Sequence, residues 1–181
     1  MFRLVVHKSF ASGAAKYDMP TIIFHGVTAV LVIGLWVVGQ TADWVPKGPG
    51  RGTVWSFHVV FGFLLALVVL GRIVWRLTAG RKLPGLGAGW LRFLAKAGHY
   101  LLYLVLIVVV ALGVANAFVR GFHIFDIVTL PQLIDPDQKK RIGALHSLGA
   151  NLLIILVAGH AVVGLAHQFV LRDGALDRIR A

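Results

Sequence analysis

The sequence predicts an all-α integral membrane protein: a four-helix bundle with both termini in the cytoplasm. Three observations carry that prediction. The 181 residues are 58% hydrophobic and only 14% charged, whereas a soluble domain carries roughly a quarter charged residues. Four apolar stretches are each long enough to cross a bilayer, which takes about 20 residues. The basic residues divide unevenly between the connectors, and that bias sets orientation.

The spans follow in order. The first, Pro20–Gln40, opens on a proline at the tolerated first-turn position. A proline- and glycine-rich turn, ADWVPKGPGRGT, leads to the second, Val54–Trp75, and TAGRKLPGLGAGWLR leads to the third, Ala97–Val119. The longest connector, RGFHIFDIVTLPQLIDPDQKKR, mixes apolar and charged residues, so it is expected partly in the membrane interface rather than as a separate domain. The fourth span is Ile142–Val170. Residues 1–181 thus read as a single transmembrane domain, with no internal repeat. The opening MFRLVVHKSFASGAAKYDM lacks the apolar core of a signal peptide.

A cytoplasmic N-terminus places twelve basic residues inside: Arg3, Lys8, Lys16, Arg72, Arg76, Arg81, Lys82, Arg92, Lys96, Arg172, Arg178 and Arg180. Six remain outside: Lys47, Arg51, Arg120, Lys139, Lys140 and Arg141. This excess favours both termini in the cytoplasm, and a bacterial inner membrane as the location. The net charge of +11 is spread between apolar spans, so topology accounts for it and nucleic-acid binding does not. The partner it implies is membrane lipid. Cysteine is absent, which excludes disulfides, thiolate metal sites and cysteine nucleophiles.

The chemistry lies in the histidines. On the fourth span, LHSLGANLLIILVAGHAVVGLAHQFVLRD, His146, His160 and His167 are fourteen and seven residues apart. Fourteen residues is close to four helical turns, so all three share one stripe, and His146 and His160 are separated by about 21 Å. His25 lies near the inner end of the first span, at the depth of His160 on the returning fourth; His58 and His146 each follow an outer start by about one turn. Depth therefore pairs His25 with His160 and His58 with His146, each pair from two helices. Such a pair can hold a flat macrocycle with one imidazole on each face. Small residues one turn away, Gly62, Gly164, Ala29, Gly143 and Gly149, would leave room for the ring, although glycine also serves helix packing in membranes. A lone intramembrane histidine can be mere packing, but ionisable groups at matched depths read as functional. Zinc or copper is the competing metal; structural zinc gathers four ligands in one place, and these come as two separated pairs. The residues favour two b-type haems.

These stretches also resemble a known family. KYDMPTIIFHG, WSFHVVFGF, GHYLLYLVLIVVVALG and above all ALHSLGANLLIILVAGHAVVGLAHQF are similar to the bacterial cytochrome b561 family of four-helix, di-haem membrane proteins, from about Tyr17 to Asp173. The resemblance implies haem-iron ligands at His25, His58, His146 and His160. It departs at Gly26, where the family usually has tryptophan, and in an N-terminal extension that includes His7.

Bis-histidine iron has no open position and passes electrons rather than activating oxygen. At the inner end, His167, His99 and Arg72 remain as groups to contact a quinone or a haem propionate; His167 also resembles a quinone-site histidine of the family. At the outer end, Lys139, Lys140 and Arg141 precede the His146 helix, and a positive funnel there speeds capture of a small anion. The resemblance implies superoxide as that anion and ubiquinone as the acceptor. A second expectation is a haem-bearing subunit passing electrons from a dehydrogenase or hydrogenase partner to quinone. A transporter is disfavoured, because no carboxylate lies within any span. His123 and His7 sit in solvated connectors.

Overall fold

The computed structural model describes residues 15–85 and 89–180; Arg3, His7 and Lys8 lie outside them. Four long helices dominate: α1 Met19–Thr41, α2 Pro49–Thr78, α3 Gly89–Val119 and α4 Lys139–Phe169. Each is long and apolar enough to cross a membrane. Three begin earlier than the apolar pattern predicts, at Pro49 rather than Val54, Gly89 rather than Ala97, and Lys139 rather than Ile142. Hydropathy marks where the chain enters hydrocarbon; the helix itself continues outward while its backbone groups keep their partners. The early turns of α2 show how, with Thr53 and Ser56 hydroxyls donating back to the carbonyls of Pro49 and Gly52 at 3.1 and 2.9 Å.

The start of α1 is fixed by Asp18. Its Oδ1 accepts from the Thr21 N–H at 3.0 Å, an N-cap, and Pro20 occupies the first turn. The same carboxylate accepts from the Trp75 indole N–H at 2.8 Å and the Arg81 backbone N–H at 2.7 Å, joining α1 to the end of α2. The Tyr17 N–H donates to the Arg178 carbonyl at 2.9 Å, so the N- and C-terminal segments meet at one end of the bundle. We call this the terminal end, and the other the hairpin end.

Desolvation raises the Asp18 carboxyl, but the N–H of Arg81, the Trp75 indole and both donors of Thr21 outweigh it and hold the group well below the usual carboxylate range. Because the folded value lies below the unfolded one, this contribution to stability is present at neutral pH and is lost as pH falls below about 4. Asp18→Ala removes it together with the cap. The expected result is a loss of about 1 kcal/mol, read as a lower melting temperature in detergent with a weaker acid dependence.

Packing is uneven around the bundle. The α1–α2 and α3–α4 seams are extensive, α2–α3 is narrower, and α1 barely meets α4. A core of Val32, Leu65, Val69, Leu106, Val109 and Leu153 fills the centre. Outward-facing Val30, Leu67, Leu104, Ile155 and Val162 remain exposed, a surface that suits lipid rather than water.

The long connector folds back instead of lying loose. Gly121, at φ +53°, closes α3 by bringing the Phe122 N–H to the Ala117 carbonyl at 3.2 Å. The antiparallel strands β1 His123–Ile124 and β2 Val128–Thr129 follow. Phe125 and Asp126 at their turn both have positive φ, 51° and 58°, an uncommon conformation for such residues. It is held by the Phe125 N–H donating to the Ser56 hydroxyl at 2.9 Å and by the Phe125 ring meeting Phe57 edge-on. This hairpin caps the start of α2, two residues from His58.

Candidate functional site

The two depth-matched histidine pairs come together. His25 of α1 and His160 of α4 have ring centres 6.3 Å apart, and His58 of α2 and His146 of α4 have theirs 6.2 Å apart. Imidazoles on opposite sides of one metal ion, each nitrogen about 2.0 Å from the metal and about 1.1 Å from its own ring centre, have centres about 6.2 Å apart. Both pairs therefore fit an axial pair about one iron. The ring planes differ, tilted at 50° in the first pair and near-perpendicular at 89° in the second. No group of three or more histidine or acidic side chains among the described residues is arranged to hold one metal ion.

The surroundings orient these rings. His146 Nδ1 lies 3.0 Å from the Val109 carbonyl, to which it donates its N–H. Such partners fix ring direction and tautomer in metal-ligating histidines. His58 Nδ1 is buried without a hydrogen-bond partner. Trp55 packs edge-on against His58 at 5.5 Å.

The glycines need correction. Gly143 and Gly149, expected to clear space for a ring, face α3: a Cβ on Gly149 would lie 2.8 Å from Val109, and one on Gly143 3.2 Å from Arg120. A Cβ on Gly164 would meet Leu176 at 3.6 Å. Only Gly62 opens onto empty space as expected. The sequence reading missed two glycines that do bear on the rings. A Cβ on Gly113 would stand 2.9 Å from His146 Cε1, and one on Gly39 3.4 Å from His58 Cε1. Both lie on neighbouring helices, so no spacing along the chain marks them.

At the terminal end, His99 is not the first turn of α3, as expected, but ten residues in. That depth brings its ring to 5.2 Å from His160, with Nδ1 2.6 Å from the Ala95 carbonyl. Arg72 spreads over the Tyr103 ring at 5.1 Å and is within electrostatic reach of His25 and His160. Tyr103 is a further member that the sequence reading did not single out. His167 Nδ1 lies 2.6 Å from Asp173 Oδ2, and Asp173 Oδ1 accepts from the Ala175 N–H at 3.2 Å. A carboxylate only accepts, so Nδ1 carries the proton and Nε2 is presented outward.

At the hairpin end, Lys139, Lys140 and Arg141 form the first turn of α4, and no carboxylate among the described residues pairs with them. Arg120 joins them. Its Nε donates to Asn116 at 2.9 Å and its Nη2 lies over Gly143, one turn outward of His146. The sequence reading counted Arg120 only as an outside charge. His123, expected to be solvated, is exposed, with Nδ1 2.9 Å from the Gly121 carbonyl.

Comparison with known proteins identifies a family. The family model described as prokaryotic cytochrome b561 matches residues 16–180. The chain is 28% identical to "Cytochrome b561 homolog 2" of Escherichia coli (strain K12), covering 94% of each. It is 25% identical to "Probable superoxide oxidase CybB" of Yersinia pestis, covering 91% of this chain and 95% of that protein. It is also 28% identical to "Cytochrome b562" of Cereibacter sphaeroides, over 90% and 94% respectively.

Proposed function

Because the chain belongs to the prokaryotic cytochrome b561 family of haem b-binding, multi-pass membrane electron-transfer proteins, we propose that it holds two haems b and carries electrons across the bacterial inner membrane from superoxide to ubiquinone. His25 and His160 would hold one haem, His58 and His146 the other. The observation that carries this is the near-identical spacing of two imidazole pairs at opposite depths. The terminal end faces the cytoplasm, in keeping with the basic-residue bias.

Bound in these places, the haems would supply reversible one-electron transfer. The residues around them do the rest. Lys139, Lys140, Arg141 and Arg120 draw a small anion toward the hairpin end. At the terminal end, Arg72, with the His99 ring beside it, donates to one quinone carbonyl, and His167, oriented by Asp173, relays a proton taken up at Nε2 to the other. Two superoxide ions each lose one electron and leave as dioxygen. The quinone gains those two electrons and two protons and leaves as quinol. The name of the Yersinia pestis relative supports superoxide as the donor.

Stopped-flow mixing of superoxide with the purified haem protein and ubiquinone tests this directly. The expected result is quinone-dependent superoxide loss with one quinol formed per two superoxide ions. Superoxide decay at the uncatalysed rate would overturn it, and co-purification of a dehydrogenase or hydrogenase subunit would then favour that partner as the donor. Two further results are expected. Replacing Lys139, Lys140 and Arg141 with glutamine should slow superoxide capture roughly tenfold at low salt, with the difference closing as ionic strength rises. Gly113→Ala should press on His146 and lower occupancy of the hairpin-end haem, read as a reduced haem-to-protein ratio with the other haem's spectrum unchanged.

A further inference from the structure

In the hairpin-end half of the bundle, three polar side chains close the gap between α1 and α4. The Trp36 indole N–H donates to Asn151 Oδ1 at 2.9 Å, and the Gln40 amide donates to the same oxygen at 3.1 Å. Polar side chains are costly in hydrocarbon and are kept there for a reason. Among the described residues these are the hydrogen bonds that join α1 to α4, the two helices that otherwise barely meet. None of the three was singled out by the sequence.

Their position defines what they can do. The bundle consists of two well-packed halves, α1 with α2 and α3 with α4, joined along the α2–α3 edge by core residues such as Leu65, Val69, Leu106 and Val109. Opposite that edge, α1 and α4 face each other like the free edges of a book. His25 and His160 sit on those free edges, so their separation is the one most sensitive to opening. His58 and His146 lie on the α2–α4 diagonal, so one member of that pair belongs to the joined edge. They are also braced by Gly39 of α1 and by Val109 and Gly113 of α3.

We infer that Trp36, Gln40 and Asn151 form a latch that sets the α1–α4 spacing and thereby the grip of His25 and His160 on the terminal-end haem. Trp36, Gln40 and Asn151 are positioning residues; none touches the iron. Along α4, Asn151 is five residues from His146 but nine from His160, about 7.5 Å against 13.5 Å. A merely local disturbance at Asn151 would therefore strike the hairpin-end haem. The latch acts on the more distant one.

Asn151→Leu separates these outcomes in the purified haem protein. Two interhelical bonds of ordinary membrane strength correspond to roughly a tenfold change in an equilibrium constant. The expected result is roughly tenfold weaker retention of the terminal-end haem. Its low-spin electron paramagnetic resonance signal should also be altered, because that signal follows the angle between the axial imidazole planes, which differs between the pairs (50° and 89°). The hairpin-end haem should keep its occupancy and signal. Trp36→Phe with Gln40→Leu should reproduce the effect, and adding Asn151→Leu to that double variant should change nothing more, since all three act through one oxygen. This second route also guards against a misfolded single variant.

Loss centred on the hairpin-end haem, equal loss of both, or additive effects would overturn the latch. The inference rests on the two-haem reading. Wild-type protein that holds fewer than two haems overturns both readings, whereas a normal wild type with the wrong haem responding overturns the latch alone.

Discussion

His160→Ala is expected to remove the terminal-end haem and leave the hairpin-end haem in place, and His146→Ala is expected to do the reverse. Each loss should halve the absorbance of the reduced protein and lower the haem-to-protein ratio by one. The reason is geometric. His160 and His146 share one face of α4 but reach partners on different helices, His25 on α1 and His58 on α2. Removing one imidazole leaves its opposite number facing a metal with an empty axial position, while the second pair, about 21 Å along the same helix, keeps both ligands. Either variant should then stop electron passage from superoxide to quinone, because one end would lack its carrier. Quantitative haem extraction with separate redox titrations of the two centres checks this. Loss of both haems in either variant would mean that the two sites are not independent.

The second large effect is expected at the terminal end. His167→Gln should leave both haems bound with unchanged spectra yet slow quinone reduction by roughly 10²-fold, the scale of a removed proton donor. Asp173→Asn should have a related but smaller effect, about tenfold, by the loss of a carboxylate that fixes the imidazole. The 2.6 Å contact between His167 Nδ1 and Asp173 Oδ2 is the basis for both. An asparagine amide can present either donor or acceptor to Nδ1, so the ring orientation that aims Nε2 at the quinone is no longer enforced. Haem reduction by superoxide at the opposite end should proceed normally in both variants. Quinol formation measured separately from haem reduction therefore distinguishes a quinone-site role from general damage. Unchanged quinol formation in His167→Gln would remove this residue from the site.

Much of this was visible in the chain. Periodic spacing on one helix is local information, so the stripe of His146, His160 and His167 could be read from residue numbers and a 3.6-residue turn. Alternating direction of the spans then turned residue number into depth and paired His25 with His160. Contacts between helices were not visible in this way. Gly113 and Gly39 bear on rings that belong to other helices. Asp173 lies in a segment whose fold-back the hydropathy pattern does not encode, although it is only six residues from His167. His99 was placed too near a helix end because α3 starts well before its apolar stretch. Gly143 and Gly149 were misread for the opposite reason, since small residues serve close helix packing and cofactor clearance equally well.

The sequence by itself determined that the chain carries four stretches long and apolar enough to cross a membrane, where its histidines fall along them, and to which family it is similar, because apolar run length and helical period act residue by residue. Only the tertiary structure decided which faces of the helices meet. That choice brought the imidazoles to 6.3 and 6.2 Å, set Arg72 over Tyr103, and drew Trp36 and Gln40 to Asn151. Helix rotation and lateral spacing are fixed by side-chain packing between segments far apart in the chain, and one-dimensional periodicity does not specify that packing.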